Sequence, residues 1–191
     1  SKPTGWYARG VTQWTVTFAP MNMMRDTWEK SEFIRVQKLY DKNNRLVDSK
    51  TMDKIGRDTI KNAFTDKEVW QATKRLGFGQ ELRDSVPAER MLKQLLKDGG
   101  VSNYGTYLDK TEVDLVKRLK KENNPMASKL EKVGKVFEGY NKMFDTVSAL
   151  ASYKALVDNG IDSKQAAATT LELTNFRKTG SKMRGIKALY M

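Results

Sequence analysis

The sequence predicts an all-α fold, an elongated helical bundle with one long helix and several shorter ones. The main observation is a run of apolar residues from position 126 onward at alternating spacings of four and three. This is the 3.5-residue repeat of a helix that packs along a seam. Helix start and stop signals also recur along the chain, with proline in first turns and glycine or Asn-Pro after last turns. The chain is 39% hydrophobic and 30% charged, which is typical of a globular protein with a modest core.

The N-terminal 19 residues have the least helical composition. Val11–Phe18 alternates β-branched and aromatic residues with polar ones, a pattern typical of a strand. We therefore expect residues 1–19 to be irregular or extended, with a helix as the alternative. Pro20 suits the first turn of a helix, and the apolar spacing that follows predicts a helix from Met21 to about Tyr40.

Several shorter helices are predicted in the middle of the chain. Asp41–Asn44 has the composition of a turn. Apolar periodicity, a proline at a first turn and closing glycines then predict three helices, at Thr51–Phe64, Asp66–Leu76 and Pro87–Lys97. A glycine-containing loop is expected at Gly99–Tyr107, and a capping-box pattern at Asp109 predicts a helix to about Asn123.

The long helix is predicted over residues 126–158, with a length of about 50 Å. A second apolar row accompanies its seam and makes a face wide enough for a multi-helix bundle. Asn159-Gly160 is a stop signal, and Asp162 with Gln165 predicts a helix that folds back. The seam comprises Leu130, Val133, Phe137, Tyr140, Phe144 and Val147, continued by Met126 and Ala151, and the second row comprises Val136, Met143, Leu150 and Val157.

The domain organisation is predicted to be one helical module over residues 1–191. N-terminal helices and loops occupy 1–107, and half of a helical bundle occupies 108–191. The first residue is serine and the last residues are an apolar run. We therefore expect the module to be a piece of a longer polypeptide.

The composition excludes several classes of chemistry. The chain has no cysteine and no histidine, which excludes Cys-His and Ser-His-Asp catalysis, zinc fingers and disulfides. The carboxylates lie at ordinary helix-surface spacings beside lysine or arginine, which favours ion pairing or capping. No transmembrane segment is predicted from the short apolar runs. We predict no catalytic, cofactor-binding or metal-binding residues, no cofactor, and a segment that is not an enzyme.

The charge is +12, and each half of the chain carries an excess of six basic residues. A dispersed excess favours solvated helix faces over a single binding patch. Two local clusters nevertheless suit contact with the phosphates of DNA. These candidate phosphate contacts are Lys117, Arg118, Lys120 and Lys121 in the first cluster, and Arg177, Lys178, Lys182, Arg184 and Lys187 in an acid-free second cluster.

Two stretches resemble a known family. Phe18-Ala19-Pro20-Met21-Asn22-Met23-Met24-Arg25-Asp26-Thr27 resembles the entry helix of an all-helical module in giant bacteriophage polypeptides. The pattern Tyr153-x-x-Leu156-x-x-x-Gly160-Ile161-x-x-x-x-Ala166-Ala167, followed by Thr174–Gly180 and Ala188–Tyr190, resembles the closing half of that module. The family is that of the large polyvalent phage proteins, which include ejected internal virion proteins and virion-packaged RNA polymerases.

The resemblance implies a non-catalytic structural segment of a virion ejection protein, which travels with the genome through portal and tail. Its implied partners are other segments of the same long chain and the portal, tail or other virion proteins, with DNA as a further candidate. Its implied location is the virion, and the host cell after ejection. Two alternatives stay open: an accessory nucleic-acid-binding segment of a virion-packaged RNA polymerase, and an oligomeric coiled-coil scaffold made of copies of this chain.

Overall fold

A computed structural model describes the backbone of residues 18–101 and 125–174, and the side chains of 19–101 and 136–172. These residues form six α-helices and no strand, which confirms the all-α fold class. Backbone pairing of the β type within them is limited to two isolated bridges. The helices are α1 (Phe18–Val36), α2 (Ser49–Thr65), α3 (Lys67–Gly77), α4 (Pro87–Lys97), α5 (Pro125–Asp158) and α6 (Ser163–Thr174).

The ends of the short helices follow from local hydrogen bonding. The Asp48 carboxylate accepts from the Thr51 amide at 2.7 Å and caps α2. Asp66 caps α3 by accepting from the amides of Glu68 and Val69. Pro87 occupies the first turn of α4, where a missing N–H has no cost. The three helices predicted in this region are therefore confirmed to within about two residues at each end.

The predicted boundaries of the first helix are wrong at both ends. Phe18 and Ala19, expected in the extended segment, are the first residues of α1. At the other end α1 stops at Val36, four residues short of Tyr40. The Asp41 carboxylate accepts from two backbone amides of the following turn, at 2.8 Å each, and this competes with continuation of the helix. Residues 1–17 lie outside the described residues.

Helix α5 is the centre of the fold, since it contacts each of the other five described helices. Every side chain from Thr146 to Tyr153 is buried, so this part of α5 is enclosed on all sides. Among the predicted seam residues, Phe144 and Val147 are buried, whereas Phe137 and Tyr140 are half-buried. The side chains of Leu130 and Val133 lie outside the described residues.

One member of the predicted second row is not in the core. Val136 is 58% exposed, whereas Leu150 is fully buried. The backbones of α3 and α5 first meet closely at Gly77 and Gly139. Val136 lies about one turn before that crossing and lines an open cleft together with Leu76 and Gly77 of α3.

The turn between α5 and α6 joins distant parts of the chain. Gly160 has a φ of +88°, the left-handed conformation expected of its stop signal. Asp162 then accepts from the Lys164 amide and caps α6, as the sequence predicts. The Gly160 carbonyl accepts from the Lys42 amide at 3.1 Å, so the turn that follows α1 docks here.

A single hydrophobic core extends through the described helices. It includes Ile34 of α1, Ile55 of α2, Leu92 of α4, Leu156 of α5 and Ala167 of α6. Side chains from both sides of position 107 contribute to it. The division of the chain into 1–107 and 108–191 stays a prediction.

Candidate functional site

A lysine is buried in the interface between α1 and α5. The side chain of Lys30 is only 1% exposed, and its Nζ donates a hydrogen bond to Ser148 Oγ at 2.9 Å. Ser148 Oγ in turn donates to the carbonyl of Asp145, one turn earlier on α5, at 3.3 Å. We call Asp26, Thr27, Lys30, Asp145 and Ser148 the Lys30 site.

Helical spacing explains how these polar side chains meet. On α1, Asp26 and Thr27 precede Lys30 by four and three residues, so the three lie on adjacent turns of one face. On α5, Asp145 and Ser148 are three residues apart. Ala149 and Ser152, which lie beside Ser148 on α5, are small and buried.

The hydroxyl groups near the contact between α1 and α5 differ in whether they have a hydrogen-bond partner. Ser152 Oγ donates within α5 to the carbonyls of Ser148 and Ala149. Ser31 Oγ donates to the carbonyl of Gly56, which joins α1 to α2. The hydroxyl of Thr27 is buried and has no hydrogen-bond partner. An unsatisfied buried hydroxyl costs about 1–3 kcal/mol, so this contact is not optimised for stability.

Burial dominates the electrostatics of the Lys30 site. It lowers the pKa of Lys30 to about 8, although the nearby Asp26 and Asp145 carboxylates favour the charged amine. The Asp145 side chain is exposed, yet the protein atoms packed around it raise its pKa to about 6. The charge of Asp26 raises the pKa of Asp145 further, and Lys30 opposes the shift. None of the ion pairs between described residues joins Lys30 to a carboxylate.

The chemistry open to Lys30 is the loss or gain of one proton. An ammonium group has three donors, and Ser148 accepts one hydrogen bond from it. Its side chain is closed off from solvent, so a substrate in solution does not reach the amine in this conformation. The protonation state of Lys30 therefore acts on the contact between α1 and α5.

A second buried charge fixes the loop between α3 and α4. Glu89 is fully buried and accepts from the Arg83 amide at 2.6 Å and from the Arg83 guanidinium. The Arg75 guanidinium lies 3.4 Å from the same carboxylate. The hydrogen bonds from Arg83 lower the pKa of Glu89 and outweigh the effect of desolvation. This cluster holds the loop in place by charge-assisted hydrogen bonds.

The nine predicted phosphate contacts all lie outside the described residues. These are Lys117, Arg118, Lys120, Lys121, Arg177, Lys178, Lys182, Arg184 and Lys187. Residues 18–101 contain 17 basic and 13 acidic side chains, and residues 125–174 contain six of each. The described residues therefore account for only four of the twelve excess positive charges.

Two features escaped the sequence prediction although the sequence carries a signal for each. Lys30 follows Met23 by seven residues and precedes Ile34 by four, so it interrupts the apolar stripe of a predicted helix. On α2, four basic residues share one helix face, at relative positions i, i+4, i+7 and i+11. The predicted phosphate contacts are basic residues that are close together in sequence, whereas these four basic residues come together only on the surface of the helix. The four residues are Lys50, Lys54, Arg57 and Lys61, and all are exposed.

Other kinds of site were sought in the same part of the chain. An open cleft of about 360 Å³ lies beside the Gly77–Gly139 crossing, with the partly exposed Phe78 in its wall. Among the side chains of residues 19–101 and 136–172, no group of three acidic residues is placed to hold a metal ion. None of the helices described here has the length and apolar character needed to cross a membrane.

The fold and the described site define an all-α protein built around one enclosed helix, with a buried lysine between that helix and α1. Comparisons with family models, with curated proteins and with solved structures return no match for this chain.

Proposed function

We propose that this chain is a non-catalytic structural module of a large bacteriophage virion protein that is delivered into the cell with the genome. The observation that supports this proposal concerns the two stretches that resemble the phage family. Residues 18–27 and 153–167 are more than 120 positions apart, yet α1 contacts both α5 and α6. Thr27, Tyr153 and Leu156, one from the first stretch and two from the second, are buried.

The balance of forces in the fold suits a chain that passes through a narrow tail. The sequence has no cysteine, so no disulfide holds the helices together. A buried lysine and an unpaired buried hydroxyl both weaken the contact between α1 and α5. At the same time the apolar core extends through α1, α2, α4, α5 and α6, which favours refolding after passage.

An oligomeric scaffold has less support from the packing of α5. Phe144, Val147 and Ala151 of the predicted seam are buried by other helices of the same chain. These side chains are therefore not available for a seam with a second copy. Sedimentation analysis of the chain tests this alternative, and a stable oligomer that survives substitution of exposed α5 residues would favour it.

The proposal is tested by locating the chain in phage particles. Purified particles of the phage that encodes it are compared by quantitative mass spectrometry before and after genome release is triggered. We expect peptides of this chain in intact particles, at a fixed ratio to the portal protein, and their loss from particles that have released DNA. Absence from intact particles would overturn the proposal. Retention in emptied particles would overturn delivery with the genome while leaving a structural role in the virion.

A further inference from the structure

We infer that the exposed basic face of α2 binds the phosphate backbone of nucleic acid. We call Lys50, Lys54, Arg57 and Lys61 the α2 basic face. At 100° per residue the four side chains fall within an arc of about 60°, and they extend over about 16 Å of helix. One strand of B-form DNA presents a phosphate about every 3.4 Å along the axis, so the face spans about five phosphates of one strand. This inference concerns α2 alone and goes beyond the proposed function.

The cations of this face are free to bind an external anion. None of the ion pairs between described residues involves Lys50, Lys54, Arg57 or Lys61. Some basic residues elsewhere in the described part are paired, as Arg83 is with Glu89 and Lys154 with Asp158. Other exposed cations are unpaired like those of α2, but they are dispersed over several helices.

The acidic residues of α2 and its cap are engaged elsewhere or lie to one side. Asp48 accepts hydrogen bonds from the backbone and side chain of Thr51. Asp58 accepts from the side-chain amide of Asn159 at 3.2 Å. Asp53 is exposed and lies outside the arc of the face, about 70° from its midline. The face therefore keeps a net positive charge along its whole length.

Two observations favour nucleic acid over an anionic membrane surface. A helix that lies on a membrane inserts an apolar side into the lipid. Met52, Ile55 and Ala63 of α2 are buried in the protein core, so Phe64 is the large apolar side chain that this helix leaves exposed among its described residues, and one side chain does not make an apolar side for lipid. In addition, Phe64 continues the face at its C-terminal end and is 45% exposed, in a position suited to stack on a base.

The test compares two variants of the full chain that lose the same charge. The first carries Lys50→Gln, Lys54→Gln, Arg57→Gln and Lys61→Gln. The matched control carries Arg90→Gln, Lys97→Gln, Lys142→Gln and Lys164→Gln, which removes four exposed cations dispersed over α4, α5 and α6. Binding to a fluorescent 20-nucleotide single strand, and to its duplex, is measured across a salt series. Circular dichroism and urea unfolding verify that both variants keep the wild-type fold.

We expect the α2 variant to bind at least about tenfold more weakly at 100 mM salt, with the slope of log K against log salt reduced by about 3. The control variant is expected to change the slope by less than about 1. A third variant with Lys50→Arg, Lys54→Arg and Lys61→Arg keeps the charge and is expected to bind like the wild type.

Three results would overturn the inference. One is no binding of the wild-type chain to either oligonucleotide at low salt. Another is equal loss of binding in the α2 variant and the control, which would indicate a general effect of net charge. The last is an α2 variant that no longer binds vesicles containing phosphatidylserine but still binds both oligonucleotides. This result would assign the face to a membrane surface. Each of these results leaves the virion location untouched, since that is measured on phage particles.

Discussion

Replacing Lys30 by methionine is expected to stabilise the protein at neutral pH. Burial lowers the pKa of Lys30 from 10.5 to about 8. At 1.36 kcal/mol per pKa unit, keeping the ammonium buried at pH 7 costs about 3 kcal/mol relative to the unfolded chain. Methionine fills a similar volume without charge. The variant also loses the hydrogen bond to Ser148, which reduces its gain in stability by about 1 kcal/mol. We therefore expect a net gain of about 2 kcal/mol in the free energy of unfolding.

The pH dependence gives this prediction a distinctive signature. The folded state has the lower pKa, so between about pH 8 and 10.5 it binds fewer protons than the unfolded state. Wild-type stability therefore gains a component that rises with pH over this window, and Lys30→Met lacks it. By pH 9.5 the folded wild type holds a neutral amine, and most of the advantage of the variant is expected to be gone.

Urea unfolding at pH 7 and pH 9.5, followed by circular dichroism, measures both quantities. The exposed Lys38→Met is the matched control, because its side chain keeps its hydration in the folded state. We expect this control to differ little from the wild type at either pH. If Lys30→Met is less stable than the wild type by a similar amount at both pH values, the buried ammonium is stabilising and the reasoning from desolvation is wrong.

Three further substitutions test other parts of the fold. Glu89→Gln is expected to lower the free energy of unfolding by about 2 kcal/mol at pH 7. Because the pKa of Glu89 is lowered in the folded state, the difference in stability between wild type and variant, measured by urea unfolding, should shrink as the pH falls below 4.5. Gly139→Ala places a Cβ 2.7 Å from the Gly77 carbonyl oxygen, so the free energy of unfolding should fall by about 1–3 kcal/mol, measured as a lower Tm. The exposed Glu138→Ala should leave Tm unchanged. Phe144→Asp buries a charge and should abolish the far-ultraviolet helical signal, which the exposed Val136→Asp should preserve; a folded Phe144→Asp would contradict the assigned core.

Most helices were predictable because their signals are local. The proline that begins α4, the glycine that ends α5 and the aspartate that caps α6 each act on neighbouring backbone groups. The first helix was harder to predict because its start depends on tertiary packing and its end on the turn at Asp41. Ala19 is buried in the core, and packing of this kind outweighs the weak local propensity at the start of the helix.

The enclosure of α5 was only partly predictable. A seam of apolar residues indicates one packed face, and Phe144 and Val147 lie on it as expected. The small and polar residues around Ser148 gave no apolar signal, although other helices cover them completely. A sequence pattern shows which residues avoid water, but burial of Lys30 or Ser148 depends on where several helices are placed together.

The position of α5 in the chain determines the order in which the protein completes its fold during synthesis. Helices α1 to α4 leave the ribosome before α5, so the apolar faces that α5 covers in the folded protein lack this helix at first. The hydrogen bond from Lys30 to Ser148 joins residues 118 positions apart, and at 5–20 residues per second this interval lasts about 6–24 s. During that time the exposed faces of α1 to α4 are open to chaperones and to other nascent chains. The single core of the protein can therefore be completed only after α5 and α6 have been synthesised.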